Sequence, residues 1–199
     1  MQNLLQAIII IILTVTSSAF ARPDFILQIA SPHSYAPVRY NTNTLLQGYV
    51  AGAETSVGLY FTRILNLAVT VFVGYEKARY RFPADQFTEN PTIRFDSIRY
   101  GIETIKYLPF HLHAGFGIQA DYLFRGEFRV ADRIIPFSAD MEGHDFFGDL
   151  FAGITIPAGN FKTFSLTVPI DIHFRRSILI DYSNNMEIGL KSGLRLQLR

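Results

Sequence analysis

A two-residue alternation of apolar and polar side chains, sustained over segments of a dozen residues, constrains this chain more than any other feature. Between positions 65 and 76, Leu65, Leu67, Val69, Val71, Val73 and Tyr75 share one parity, and Asn66, Ala68, Thr70, Phe72, Gly74 and Glu76 share the other. Successive side chains of a β-strand point to opposite faces, so the pattern predicts a strand with one apolar face. Segment 112–125 repeats it, with Leu112, Ala114, Phe116, Ile118, Ala120, Tyr122 and Phe124 against His113, Gly115, Gly117, Gln119, Asp121 and Arg125. Segment 163–175 sets Phe164, Leu166, Val168, Ile170, Ile172 and Phe174 against Thr163, Ser165, Thr167, Asp171, His173 and Arg175. Pro169 falls on its polar face, where it removes a ladder hydrogen bond or marks a bulge. Segment 186–198 sets Met186, Ile188, Leu190, Leu194, Leu196 and Leu198 against Glu187, Gly189, Lys191, Gly193, Arg195 and Gln197, with Ser192 as a polar outlier. Weaker copies at 24–30, 48–61, 92–106 and 144–156 bring the total to eight strands. After Pro32 no stripe of helical period appears, so the fold class is all-β.

Length and charge then select the kind of barrel. Strands in soluble sheets run about five or six residues, whereas a tilted membrane strand needs about 9–11. The polar parity carries Glu54, Glu76, Arg99, Glu103, Asp121, Asp149, Asp171, Lys191 and Arg195, and the apolar parity is nearly free of charge. An eight-stranded barrel encloses room for side chains or one small ligand, too little for so many Leu, Ile, Val and Phe. Turned outward, the apolar face meets lipid and the charges pair inside. Glycines of the inner parity, Gly52, Gly58, Gly74, Gly101, Gly115, Gly117, Gly153, Gly189 and Gly193, leave space for the longer side chains.

The connections agree. Long segments at 31–47, 81–91, 126–143 and 175–183 alternate with short ones at 62–64, 107–111 and 157–162. An up-and-down outer-membrane barrel has short periplasmic turns and longer outside loops, and the parity puts both chain ends on the periplasmic side. Phe61, Tyr107, Phe110 and Phe164 would form a periplasmic aromatic girdle. Tyr49, Tyr75, Tyr122, Phe124, Phe146 and Phe174 would form an outer one. The expected architecture is an eight-stranded antiparallel up-and-down transmembrane β-barrel over residues 22–199.

Residues 1–21 read as an export signal. The apolar run at 4–13 is shorter than the roughly 20 residues a spanning helix needs, and Ala19-Phe20-Ala21 has the small-residue pattern of a signal-peptidase site. Cleavage before Arg22 and Sec export to a bacterial outer membrane are expected, although the first three residues, MQN, lack the usual Lys or Arg.

Composition removes several function classes. Of the 199 residues none is Cys, which excludes disulfides, thiolate metal sites, a cysteine nucleophile and a lipidated Cys anchor. The formal charge of +1 carries no basic excess for nucleic acid. No cofactor is expected. His111 and His113 could supply two metal ligands, but no third stands near them in sequence, and no metal site is assigned.

In signal, strand count, alternation and loop parity the chain resembles the small eight-stranded outer-membrane barrels of the outer-membrane protein A and X type, over nearly its whole mature length. The resemblance lies in architecture and not in a shared motif. Such barrels end in an aromatic residue that the assembly machinery reads, and this chain ends Leu196-Gln197-Leu198-Arg199.

Three roles follow as expectations. The first is a structural or surface-interaction barrel, monomeric, with the nine inner charges in a salt-bridge network that plugs the lumen. Its loops, which carry Asp85, Glu89, Arg129, Asp132, Arg133, Asp140 and Glu142, would contact outer-membrane lipids, lipopolysaccharide among them, or a protein partner outside or in the periplasm. Arg79 with Arg81 and Arg175 with Arg176 are the expected lipid-phosphate contacts. The second is a narrow solute channel lined by Arg99 and Glu103. The third is a lipid A-modifying enzyme, for which His33, Ser34, His173, Ser177, Asp145, Asp171 and Asp181 supply the residue types of a Ser–His–acid site. The deacylases among such barrels carry His-x-Ser-Asn on one strand, which His173-Phe174-Arg175-Arg176 does not match. A soluble periplasmic carrier, the same barrel with its apolar face inward, is the competing fold.

Overall fold

The computed structural model describes residues 23–39, 45–61, 66–83, 91–136, 143–178 and 186–199. The export segment 1–21 lies outside these residues, as do Asp85, Glu89, Asp140, Glu142 and Asp181. Ten strands are present among them: β1 (Asp24–Tyr35), β2 (Val38–Arg39), β3 (Leu45–Phe61), β4 (Leu67–Arg81), β5 (Thr92–Tyr107), β6 (Leu112–Val130), β7 (Arg133–Pro136), β8 (Gly143–Asn160), β9 (Phe164–Ser177) and β10 (Met186–Leu198).

Eight of them close a barrel. Hydrogen-bonded neighbours run β1-β10-β9-β8-β6-β5-β4-β3, and β3 pairs back onto β1, so every long strand has a partner on both sides. All of these pairings are antiparallel, and each long strand neighbours the next one in sequence. Closure leaves no unpaired edge, which a sheet in hydrocarbon requires. The pair Phe25–Leu198 brings the start of β1 and the end of β10 to one end of the barrel, where the tight turns after β5 and β8 also lie. The opposite end is the loop end. There the short β2 pairs with β3, and β7 folds back on the tip of β6.

Strand positions match the alternating segments, and every long strand extends at least as far toward the loop end as its segment predicts, β4 continuing past Glu76 to Arg81. The expected loops 31–47 and 126–143 are therefore shorter, because β1 runs to Tyr35 and β6 to Val130. Pro169 stays in register opposite Thr155, and the irregularity in that strand pair comes at Pro157/Gly159.

Outside, the apolar parity forms a belt. Ile118 is 55% exposed, Leu150 61% and Ile172 61%, and Val71, Phe116 and Leu190 are exposed beside them. Inside, Glu54, Glu76, Arg99, Lys191 and Arg195 are buried. Two apolar clusters flank the charges along the axis. Near the turn end Ile26, Ala68, Ile105 and Phe151 pack with Tyr60 and Tyr107. Near the loop end Leu46, Phe82 and Ile93 pack with Tyr80, Phe95 and Phe128.

Tyr107 and Arg125 depart from their expected places. Tyr107 is expected in the lipid-facing periplasmic girdle, yet it shares the parity of Glu103 and points into the lumen, where its hydroxyl accepts from Arg195. Arg125 was assigned to the lumen. A register shift at Asp96/Ser97 pairs Asp96 with Arg125 and Ser97 with Leu123, so β6 carries one extra residue there. That bulge reverses the parity of β6 beyond it, and Arg125 turns to the outer wall, its side chain 67% exposed.

Candidate functional site

The lumen is the most chemically distinctive region, and its layers follow strand register. Nearest the turn end, Arg195 Nε donates to Gln28 Oε1 at 2.8 Å, and its guanidinium lies over the Tyr107 ring, 5.6 Å from the centroid. One layer further, Lys191 Nζ stands 2.6 Å from Glu54 Oε1 and 2.8 Å from Glu103 Oε1, and 5.4 Å above the Phe72 ring. These contacts reach from β10 across the lumen to β3, β4 and β5.

Beside Lys191 runs a chain of histidines and carboxylates. Thr155 Oγ1 lies 3.1 Å from His113 Nδ1, and His113 Nε2 bonds the Asp171 carboxylate. Asp171 lies 3.9 Å from His173 Nε2, and His173 Nδ1 bonds Asp149 Oδ2 at 2.7 Å. The Phe151 ring stacks on His173 with centroids 5.1 Å apart.

Toward the loop end two arginines share carboxylates. Arg99 pairs with Glu76 and lies 3.6 Å from Asp121 Oδ1 and 4.0 Å from Glu54 Oε2. Arg175 reaches Asp121 Oδ2 at 2.7 Å, Glu187 Oε2 at 3.0 Å and Glu76 Oε2 at 3.4 Å, with the Phe147 ring 4.6 Å from its guanidinium carbon. Above them a cavity of about 290 Å³ opens among Tyr80, Ser97, Leu123, His144 and Asp145.

All nine charges assigned to the lumen by parity lie in it. Glu54, Glu76, Arg99, Glu103, Asp149, Asp171, Lys191 and Arg195 are buried, and Asp121 is nearly so. Arg175 belongs with them. It was expected at the headgroup level beside Arg176, but its parity on β9 is that of Asp171 and His173, and it is 1% exposed. Arg176, of the opposite parity, is exposed, as are Arg79 and Arg81. Glu187, His113, His173, Gln28 and Gln119 are further lumen residues. They carry the same parity signal as the nine.

Among the described residues, the Ser, His and acid candidates for an enzyme are not assembled into one site. His33 is exposed on the wall of β1, while the adjacent Ser34 is buried in the lumen. His33 bonds Ser31 instead, at 3.1 Å, and Tyr49, at 2.8 Å. The Ser31 hydroxyl donates to the Gly52 carbonyl, so its remaining role toward His33 is acceptor. That polarity is opposite to the one that activates a serine. Ser177 donates to Asp145 Oδ1 at 3.1 Å, and it lies four positions along β9 from His173, roughly 13 Å at the rise of a strand. His111 sits exposed in the turn before β6, while His113 faces the lumen.

No protein-family model matches the chain, and no curated protein matches it. Solved structures do. The crystal structure of Neisserial surface protein A is 13% identical, covers 86% of this chain and 95% of its own, and superposes with a TM-score of 0.42. Ail, the attachment invasion locus protein of Yersinia pestis, solved with the heparin analogue sucrose octasulfate, is 11% identical, with 89% and 99% covered and a TM-score of 0.46. The outer membrane protein OprG of Pseudomonas aeruginosa is 7% identical, with 90% and 96% covered and a TM-score of 0.42. The assignment of a closed barrel stands on the register of the eight long strands themselves.

Proposed function

We propose that this chain is an exported, monomeric outer-membrane barrel whose lumen is a structural core and whose function lies on its outer wall and loops, in contact with lipid or a protein partner. The observation that carries the reading is the pairing of charges across the lumen. Lys191 spans from β10 to Glu54 on β3 and Glu103 on β5, and Arg175 spans from β9 to Glu76 on β4 and Asp121 on β6. Side chains that cross the bore and pair there fill the narrow space an eight-stranded barrel encloses. Taking each ion out of water costs several kcal/mol, and close pairing with further hydrogen bonds offsets that cost.

A solute channel needs a continuous aqueous path, which the paired layers and the two apolar clusters oppose. A soluble carrier needs an apolar cavity, and the inner face here is charged. The exposed belt suits hydrocarbon, because a patch of that extent is rare on soluble monomers.

The experiment is two measurements on the purified protein. On an SDS gel, unheated and boiled samples should migrate differently, since a closed barrel with all backbone groups paired resists SDS until heated. In a planar bilayer the folded protein should give no steady conductance. A conductance altered by Arg99→Ala or Glu103→Ala would sink the sealed lumen, and recovery without detergent would sink the membrane placement.

A further inference from the structure

The bulge in β6 has built a cationic lattice on the outer wall. Three rows cross the tips of β3 to β6 in register. Gln47, Arg81, Thr92 and Arg129 form one; Tyr49, Arg79, Arg94 and Glu127 the next; Ala51, Lys77, Asp96 and Arg125 the third. Without the extra residue at Asp96/Ser97, Arg125, Glu127 and Arg129 would share the lumen parity of Asp121. With it they stand beside Arg94 on the outer wall.

Among the described residues the lattice holds six cationic side chains and two carboxylates. Glu127 is shared. Arg129 Nη2 lies 2.6 Å from Oε1, Arg94 Nη1 3.8 Å from the same oxygen, and Arg125 Nη2 4.0 Å from Oε2. Asp96 accepts from the Tyr75 hydroxyl at 2.8 Å. Arg79 and Arg94 face each other directly across β4 and β5. Like charges directly opposed destabilise a sheet, and two carboxylates against six cations leave the lattice with an excess of positive charge. Arg94 Nε is buried with no hydrogen-bond partner among the described residues. A depression of about 390 Å³ is lined by Lys77, Arg79, Arg94, Arg125 and Arg129, with the carboxylates of Asp96 and Glu127 also on its wall.

Position identifies the anion. The next row toward the turn end is Tyr75, Ile98 and Tyr122, and beyond it the wall is Val73, Tyr100 and Ala120, then Val71, Ile102 and Ile118. The cations therefore sit immediately above an aromatic row and the apolar belt, at the level where a bilayer places its phosphates. Arg presents planar forks that match phosphate oxygens two at a time, and a phosphate monoester carries about −1.5 to −2 charges.

The geometry points to a binding site for the phosphates of an outer-leaflet glycolipid on the wall formed by β4, β5 and β6, with Arg79, Arg94 and Arg125 as its main ligands. This inference rests on the membrane placement proposed above.

The test uses the full barrel in phosphatidylcholine nanodiscs, titrated with bisphosphorylated lipid A and with its dephosphorylated counterpart. Removal of the phosphates should weaken binding at least about tenfold, as should Arg79→Gln/Arg94→Gln. Lys162→Gln, in the exposed turn between β8 and β9 at the opposite end of the barrel, should leave it unchanged. The gel shift on heating is read for each variant, so a barrel that fails to insert shows there, and the wild-type comparison of the two lipids needs no variant. Equal affinity for both lipids overturns the site, as does an unchanged affinity in a folded double variant. Capture of inorganic pyrophosphate from solution as tight as that of lipid A also overturns it, because the ligand would then not be a lipid.

Discussion

Arg99 and Arg175, on strands that do not neighbour each other, hold the same two carboxylates from opposite sides. Glu76 offers Oε1 to Arg99 and Oε2 to Arg175, and Asp121 offers Oδ1 to Arg99 and Oδ2 to Arg175. The four side chains come from β4, β5, β6 and β9, so the clamp ties distant parts of the ring together through the lumen.

Breaking that clamp from one side leaves buried carboxylates short of a cation. Arg99→Met is expected to destabilise the barrel by about 3–5 kcal/mol, read as a lower heating temperature for the gel shift and earlier unfolding in urea. Arg175→Met combined with Asp121→Asn should cost less than the sum of the single changes, with a coupling of about 0.5–3 kcal/mol. Strict additivity would mean that the pair does not interact.

The apolar belt makes a prediction that separates lipid from water. Ile118 lies on the outer wall midway between the turn before β6 and the aromatic pair Tyr122 and Phe124. Ile118→Arg is expected to cost about 2–4 kcal/mol of folding free energy in vesicles, the range for a lipid-facing arginine near the bilayer centre. On a water-facing wall the same change stays within about 0.5 kcal/mol, and a value that small would argue against the bilayer.

Gly153 packs where β8 meets β9, and a Cβ there would collide with the Ile170 carbonyl and the Asp171 carboxylate. Asp171 bonds His113 and neighbours His173, so the collision reaches the whole histidine chain. Gly153→Ala is expected to destabilise by about 1–3 kcal/mol through overpacking, measured by urea titration of the refolded barrel. An unperturbed midpoint would show that the strands can part at no cost.

Sidedness is testable because the chain has no native Cys. Asp132 lies in the tight turn between β6 and β7 at the loop end, and Lys162 lies in the turn between β8 and β9 at the opposite end. On intact cells a membrane-impermeant maleimide should label Asp132→Cys and spare Lys162→Cys until the outer membrane is opened. The reverse pattern would invert the barrel.

The sequence alone determined which side of the wall most residues occupy. Parity is a local property of a strand, so Glu54, Lys191 and Leu150 reveal their faces without any knowledge of their neighbours. The same parity puts Glu187, His113 and Tyr107 on the inner face. Tertiary structure decided everything that depends on register between strands. That Lys191 meets Glu54 and Glu103, and that Arg99 and Arg175 divide two carboxylates between them, follows from how the strands are staggered around the ring, and no single segment records it. The bulge at Asp96/Ser97 is the clearest case. One extra residue in β6 sends Arg125 to the outer wall, because a period of two loses its phase wherever one strand gains a residue that its partner lacks.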